Sequence, residues 1–198
     1  NRAYENYPYR SDAQVEQHLQ AWQQGNTGFP MVDAAMRCLV ETGYINFRMR
    51  ALLVSFLCHY LHIHWQHATT HLAALFLDFE PGIHYPQIQM QAGVIGTNTI
   101  RMYNPEKQAM EKDPTGEYID QWLPELAGLP LQLKHAPYRM TPMEAQMYGF
   151  KLGEDYPRPI VDVDDFRPVA RDTLHRIKKS VAGRKEAQRI LKRHVVPR

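Results

Sequence analysis

Asn46-Phe47-Arg48-Met49-Arg50-Ala51-Leu52-Leu53-Val54-Ser55-Phe56-Leu57-Cys58-His59-Tyr60-Leu61 is the stretch on which the fold class turns. Asn46 is a good N-cap, because its side-chain oxygen accepts from a first-turn N–H. The residues after it are apolar on nearly every side of a helix, which places that helix in the middle of a domain. The spacing predicts that it runs through Trp65, with a junction near Trp65–His67 and another apolar helix over about Thr70–Leu77. The terminal charges have the unexpected sign. Arg48 and Arg50 sit in a first turn, while Leu77-Asp78-Phe79-Glu80 puts two anions at the close of the next helix. Helix starts favour anions and helix ends favour cations, by about 0.3–1 kcal/mol each. A sequence that accepts such a cost recovers it elsewhere. The simplest recovery is that Arg50 and Asp78 face each other across a shared site, where a polar ligand also sits.

Helical signals extend outward from this centre. Ser11 with Gln14 reads as a capping box for a helix to about Gly25. Pro30 occupies a first helical position, and Val32, Ala35, Met36, Leu39 and Val40 follow at helical spacing until Gly43. Phe79–Tyr103 is expected to be irregular. Pro81, Gly82, Pro86, Gly93 and Gly96 interrupt it, and His84, Gln87, Gln89 and Gln91 make it polar. A long irregular segment inside a domain is more often functional than idle. Asn104-Pro105 starts another helix, and the turn Asp113-Pro114-Thr115-Gly116 precedes one over Glu117–Leu123. Thr141-Pro142-Met143-Glu144 is a capping box between the Pro-rich connectors Leu129–Tyr138 and Lys151–Phe166. The last helix covers about Val169–His194. No strand alternates convincingly and no repeat is visible, so the expected class is an all-α helical bundle.

The 198 residues suit one domain or most of one, and 44% hydrophobic with 22% charged residues is ordinary for a globular chain. Cys38 and Cys58 both lie in apolar helical patterns, which argues against a disulfide framework and fits a reducing, cytoplasmic compartment. Two cysteines also exclude a four-cysteine metal site within the chain. The apolar run Ala51–Ile63 is too short to span a bilayer, so no membrane partner is expected. The first methionine is Met31, so a chain starting at Asn1 is expected not to be a complete translation product. Charge is uneven. Arg167–Arg198 holds eleven Lys/Arg against two acids, Asp172 and Glu186, and leaves the rest of the chain net negative. A basic helix of this kind meets nucleic acid or another polyanion, or else is a solvated helix docked on its own acidic body, the commoner case.

Three constellations carry possible chemistry. In the first, the Arg48/Arg50 pair meets Asp78/Glu80. An Arg fork recognises a carboxylate, phosphate or imide edge, and the carboxylates can hold heterocyclic N–H groups. The bland reading is an ion pair that locks two helices. In the second, His64, His67 and His71 share one face if the helix is unbroken, a spacing that suits a divalent metal. No acid follows at i+3 or i+4, so histidines at a helix end are the commoner explanation. The third is an aromatic set, Trp22, Tyr44, Phe47, Trp65, Tyr85, Tyr103 and Trp122, most of it core. Trp65 lies about 20 Å along the helix from Arg50 by helical rise, and a minority reading makes it an electron relay. There is no phosphate-cradling Gly-rich loop and no nucleophile elbow.

Several runs together resemble the C-terminal, FAD-binding helical domain of the photolyase/cryptochrome family. They are Trp22-Gln-Gln-Gly-Asn-Thr-Gly-Phe-Pro-Met-Val-Asp-Ala-Ala-Met-Arg37, Thr42-Gly43 through Arg48-x-Arg50, Ser55-Phe56-Leu57, Trp65, Asp78, Gln89 with Ala92-Gly93, Arg101-x-x-Asn104-Pro105-x-x-Gln108, and Asp113-Pro-x-Gly116 through Trp122-Leu-Pro-Glu-Leu126. The resemblance implies a division into a partial FAD-binding helical domain over residues 1–150 and a connector with a basic helix over 151–198. It implies a helical bowl around FAD, with Arg50 beside the isoalloxazine and paired to Asp78. Glu80 stands in place of a second acid at the flavin N3 edge, His84 matches the position facing flavin N5, and Tyr44 and Phe47 help to line the cavity. Trp65 matches the middle member of the family's tryptophan relay.

The departures are specific. Repair enzymes of the best-known classes carry His-Asn before the two arginines, where this chain has Asn46-Phe47. Ile88 replaces the flavin-proximal tryptophan, Asp12 aligns with the distal one, and Met90 replaces the tryptophan that packs on lesion DNA. The resemblance implies a blue-light-responsive flavoprotein, with electron transfer from reduced, excited flavin into a pyrimidine dimer of DNA as its enzymatic form. A non-repairing photoreceptor and a flavin-free interaction module holding nucleic acid are the alternatives. The expected partners are DNA and the upstream half of the same protein, which supplies the family's phosphate-cradling segment.

Overall fold

The computed structural model describes residues 1–98 and 100–194, with the side chains of residues 163–167 and 194 set aside. Among the described residues it is all-α, and the only extended pairing is an isolated bridge between Leu152 and Tyr156. The helices are α1 (Gln14–Gln24), α2 (Pro30–Thr42), α3 (Phe47–His59), α4 (Trp65–Leu75), α5 (Pro81–Gln91), α6 (Pro105–Lys112), α7 (Glu117–Trp122), α8 (Leu131–His135), α9 (Pro142–Tyr148), α10 (Val163–Lys179) and α11 (Val181–His194). α2 packs against α1, α3, α6, α7 and α8, while α3 is shared by α2, α4, α5 and α10. α3 is apolar all round because it is surrounded: Leu52, Leu53, Phe56 and Leu57 are fully buried.

Local signals set most boundaries. Asn46 caps α3 by accepting from the Met49 N–H at 3.1 Å, and Asn104 caps α6 through the Lys107 N–H at 3.0 Å. Thr141 and Glu144 form a reciprocal capping box at α9. Gly43 closes α2 in the left-handed conformation, where a Cβ would meet the Leu77 side chain at 2.5 Å.

Four expectations are corrected. The helix from Asn46 does not reach Trp65: it ends at His59, and His62 takes a left-handed φ of 55°. The N–H groups of Leu61 and Ile63 turn back to the carbonyls of Phe56 and Leu57, and His64 Nδ1 then caps α4 through the Gln66 N–H. The break is itself buried, so the apolar pattern runs through it. At α1 the Ser11 box does not form, because Asp12 Oδ1 takes the Gln14 N–H at 3.0 Å. Residues 81–91 form a helix rather than an irregular segment. Pro81 is its first residue and Glu80 its N-cap, so only Pro86 stands inside it. The C-terminal helix starts at Val163 and is two helices. Ser180 Oγ donates to the Ile177 carbonyl and accepts from the Gly183 N–H, which ends one helix and caps the next.

A buried carboxylate ties the C-terminal segment to the core. Asp33 accepts from the Thr27 N–H (2.8 Å), Thr27 Oγ1 (2.6 Å), the Gly28 N–H (3.0 Å) and the fully buried Tyr156 hydroxyl. Burial pushes the Asp33 carboxyl up to about 6, against the pull of those donors. Gly28 has a φ of 80°, and a Cβ there would meet the backbone of Arg158 and Pro159 at 2.5 Å. The chain runs close there, with the Ile160 N–H donating to the Thr27 carbonyl at 3.0 Å.

A second buried node joins α3 to the segment after α5. His59 Nε2 donates to the Ala92 carbonyl (3.2 Å), which leaves Nδ1 to accept from Ser55 Oγ (3.1 Å), and Ser55 in turn accepts from the Tyr103 N–H. Burial lowers the imidazole to about 4. The unfolded chain therefore binds a proton at this residue between about pH 6.5 and 4 that the folded chain refuses. Stability from neutral His59 is complete above pH 6.5 and falls as pH drops through that window.

Two outcomes follow for unfolding measurements. Tyr156→Phe is expected to lose about 1.5–3 kcal/mol in urea denaturation, since it removes a hydrogen bond to a buried carboxylate; unchanged stability would contradict the role of this contact. The stability gap between the wild type and His59→Gln should narrow by up to about 1.4 kcal/mol per pH unit from pH 6.5 toward 4. A gap that stays constant or widens with acidification contradicts a neutral, buried His59.

Candidate functional site

α3, α4 and α5 enclose a cleft of about 150 Å³. Arg50, Ala51 and Val54 of α3 form one wall, Leu72 of α4 stands behind, and His84, Gln87, Ile88 and Gln91 of α5 form the other. Phe76, Asp78, Phe79 and Glu80 of the α4–α5 connector close one end, and Phe47 and Ile83 flank the mouth. The residues of α5 recur at i, i+3, i+4 and i+7, the spacing of one helical face.

Arg50 is fixed in detail. Its Nε donates to the Ile45 carbonyl at 2.9 Å, and Nη2 donates to both Asp78 oxygens, at 3.0 and 2.9 Å. The guanidinium carbon lies 4.0 Å from the centre of the Phe76 ring and 5.5 Å from that of Tyr44. The expected Arg50–Asp78 pairing is present, but it is not deeply buried: the two side chains are 25% and 51% exposed. The connector is held at its other side by the Leu77 N–H, which donates to the Gly43 carbonyl at 3.0 Å.

The polarity expectation is corrected in part. α4 ends at Leu75, so neither acid closes a helix. Glu80 lies at an N-terminus, where its Oε2 accepts from the Ile83 N–H at 2.9 Å and its negative charge has the favoured sign. Only the Arg48/Arg50 end carries disfavoured charges. Arg50 recovers the cost through Asp78, and Arg48 through the Tyr103 ring, 5.3 Å from its guanidinium carbon.

His84 is 8% exposed and packs edge-on against Phe76, Phe79 and Tyr85. Its Nε2 donates to the Thr69 carbonyl at 3.0 Å, so in the neutral ring Nδ1 is the acceptor. Phe47, Arg50, Asp78, Glu80 and His84 thus converge on one cleft. Tyr44 does not line it: it is 57% exposed and reaches the site only as the second ring beside Arg50. Trp65 lies outside it, in the first turn of α4, with its ring 5.4 Å from His64. The histidine series does not converge. His64 caps α4 and His71 packs on Trp22, and no group of three His, Cys, Asp or Glu among the described residues is placed to hold a metal.

Gln87 matters more than sequence reading suggested. Its Oε1 is buried without a hydrogen-bond partner among the described residues, and Gln87 lines the cleft. An unpartnered buried acceptor costs about 1–3 kcal/mol unless a ligand or water satisfies it. Apolar walls, an Arg fork, an accepting imidazole and an orphaned carbonyl oxygen suit a flat heterocycle with N–H and carbonyl edges, and the isoalloxazine of FAD has that chemistry.

Known proteins share this sequence pattern and this fold. The sequence pattern of the FAD binding domain of DNA photolyase matches residues 1–176. A cryptochrome DASH of Gloeobacter violaceus is 39% identical over 158 residues, which are 79% of this chain and 31% of that protein. The deoxyribodipyrimidine photo-lyase of Escherichia coli K12 is 39% identical over 153 residues, 76% of this chain and 31% of that one. A bacterial class III photolyase from Agrobacterium tumefaciens superposes with a TM-score of 0.82 at 31% identity, covering 91% of this chain and 37% of that structure. The chain spans about a third of the length of these relatives. It belongs to the photolyase/cryptochrome family, and its helical fold is that family's FAD-binding domain.

Proposed function

We propose that the α3–α5 cleft receives the isoalloxazine of FAD, and that the protein is a blue-light-responsive flavoprotein acting on DNA. The orphaned Oε1 of Gln87, a residue that lines the same cleft as the Arg50–Asp78 pair, carries this reading. When bound, FAD would supply blue-light absorption and one-electron chemistry for a pyrimidine dimer. The protein's part is to hold and isolate the ring. Ala51, Val54, Leu72 and Ile88 exclude water from its faces. Arg50, oriented by Ile45 and Asp78, offers a preorganised positive edge. Gln87 accepts a ring N–H, and His84 Nδ1 exchanges or accepts a proton within the cleft. Glu80 holds the first turn of α5 in place. Trp65, outside the cleft, acts as an electron relay rather than a binding group, and Tyr44 backs Arg50.

A non-repairing photoreceptor is the second reading, and Phe47 is the observation that favours it. An apolar side chain, 55% exposed at the mouth of the cleft, stands where the resemblance places the asparagine of repair enzymes. Such a side chain offers no hydrogen bond to a base edge. Light-driven splitting of a cyclobutane dimer by the flavin-loaded protein distinguishes the two. Turnover of the lesion supports repair, and flavin photoreduction without turnover supports the photoreceptor.

Arg50→Ala should lower stability by only about 1 kcal/mol, the scale of a solvent-accessible pair, yet abolish flavin retention on purification. Arg50→Lys should retain an intermediate share, because an ammonium lacks the planar fork. Gln87→Leu keeps the volume and removes the acceptor, and is expected to weaken FAD binding about 5- to 150-fold. Flavin absorbance and a binding titration read all three, and wild-type affinity in Gln87→Leu contradicts the role given to Oε1.

A further inference from the structure

Residues 177–198 lie beyond the stretch matched by the family's domain pattern and hold eight Lys/Arg against one acid, Glu186. α11 comes from this segment. Gly183, Glu186, Ala187 and Ile190, at i, i+3, i+4 and i+7, are its least exposed residues, while Arg184, Lys185, Arg189, Lys192 and Arg193 are exposed. α10 buries Ala170, Thr173 and Leu174, so both helices turn mainly apolar or small residues inward, with Glu186 the one charged residue on the inner face of α11, and most of their cations outward.

If the pair were docked electrostatically on an acidic body, its cations would meet that body's carboxylates. They do not. Arg171 pairs with Asp172 and Arg189 with Glu186, both inside the hairpin. Lys178 donates to the Asn98 carbonyl, which is neutral. Lys179, Arg184, Lys185, Lys192 and Arg193 form no ion pair among the described residues. The hairpin is held instead by neutral contacts and by Glu186, whose charge faces the Asn1 amine and Arg2. Asn1 Nδ2 donates to the Gly183 carbonyl at 3.5 Å, and Leu174 packs over Gly93. The concentrated positive charge is left for something outside the chain.

Its position indicates the partner. Gln91 lines both the α3–α5 cleft and a neighbouring polar cleft formed with Met90, Thr97, Asn98 and Arg101. Lys178 is bonded to Asn98 at 2.8 Å. Arg101 and the end of α10 therefore continue from the edge of the cleft toward α11. We infer that the α10–α11 hairpin is a second binding surface, which grips the phosphate backbone of duplex DNA independently of any lesion, of flavin and of light. A linear array of cations without acidic partners suits a regularly charged duplex, whose neutralised phosphates release counterions.

The test uses undamaged duplex DNA in the dark, with the flavin-loaded protein and salt varied between 50 and ~200 mM. The comparison is a variant carrying Lys179→Gln, Arg184→Gln, Lys185→Gln, Lys192→Gln and Arg193→Gln. All five positions are exposed and glutamine is a good helix former, so the fold and the flavin absorbance are expected to persist. The wild type should show a steep fall of log K with log salt, and the variant a slope shallower by about 4 and at least tenfold weaker binding at the lowest salt. Equal affinity and slope in the two proteins overturn the inference. So does wild-type binding to phosphatidylserine vesicles but not to duplex DNA, which would assign the surface to a membrane. Because no lesion or light enters the assay, a loss here is separable from a failure of dimer repair.

Discussion

The Arg50–Asp78 contact bridges α3 and the connector that launches α5, 28 residues further along the chain. Its geometry decides where the wall of the cleft stands. Arg50 is clamped by the Ile45 carbonyl on one side and by Asp78 on the other, with Phe76 against its face. The connector is pinned again by Leu77 on the Gly43 carbonyl, and α5 begins at once under the Glu80 cap. The cleft is thus a consequence of how one cation is held rather than a gap left by poor packing. Because the pair is partly open to water, its net worth to stability is small. Its value lies in orienting a fork toward the cleft.

The core behind it is organised by two buried polar nodes. Asp33 joins the α1–α2 turn to Tyr156, and Ser55–His59 joins α3 to Ala92 and Tyr103. Each group in them is satisfied by several partners, which is the condition under which buried polar atoms rigidify a fold. They also respond oppositely to acid. Burial raises Asp33 and lowers His59, so their proton linkages partly offset each other across mildly acidic pH.

What was legible in the sequence was local. The caps at Asn46, Asn104 and Thr141, the terminal Gly25 and Gly43 and the initial Pro30 act within one turn, and each sits where its chemistry requires. The break at Tyr60–His64 was hidden because residues on both sides are buried, so hydrophobic spacing carried no mark of it. α5 was hidden by its prolines: Pro81 favours a helix start, and a single interior Pro86 does not end the helix. Missing α5 also concealed half of the site, since Ile83, Gln87 and Ile88 share a face only once that segment is helical. Arg50 and Asp78 stand out in the sequence because charge is conspicuous in apolar surroundings, whereas His84 is singled out by the family resemblance. The apolar walls at Val54, Leu72 and Phe76 carried no such signal.

The most direct test of the central claim is an amide NMR titration of the protein with lumiflavin, the isoalloxazine without its phosphates. The account predicts shifts concentrated at Ala51, Leu72, Ile83 and Gln87 and at the Arg50 side chain, with α9 and α11 unmoved. Shifts spread over another face, with Gln87 and Arg50 silent, would contradict it.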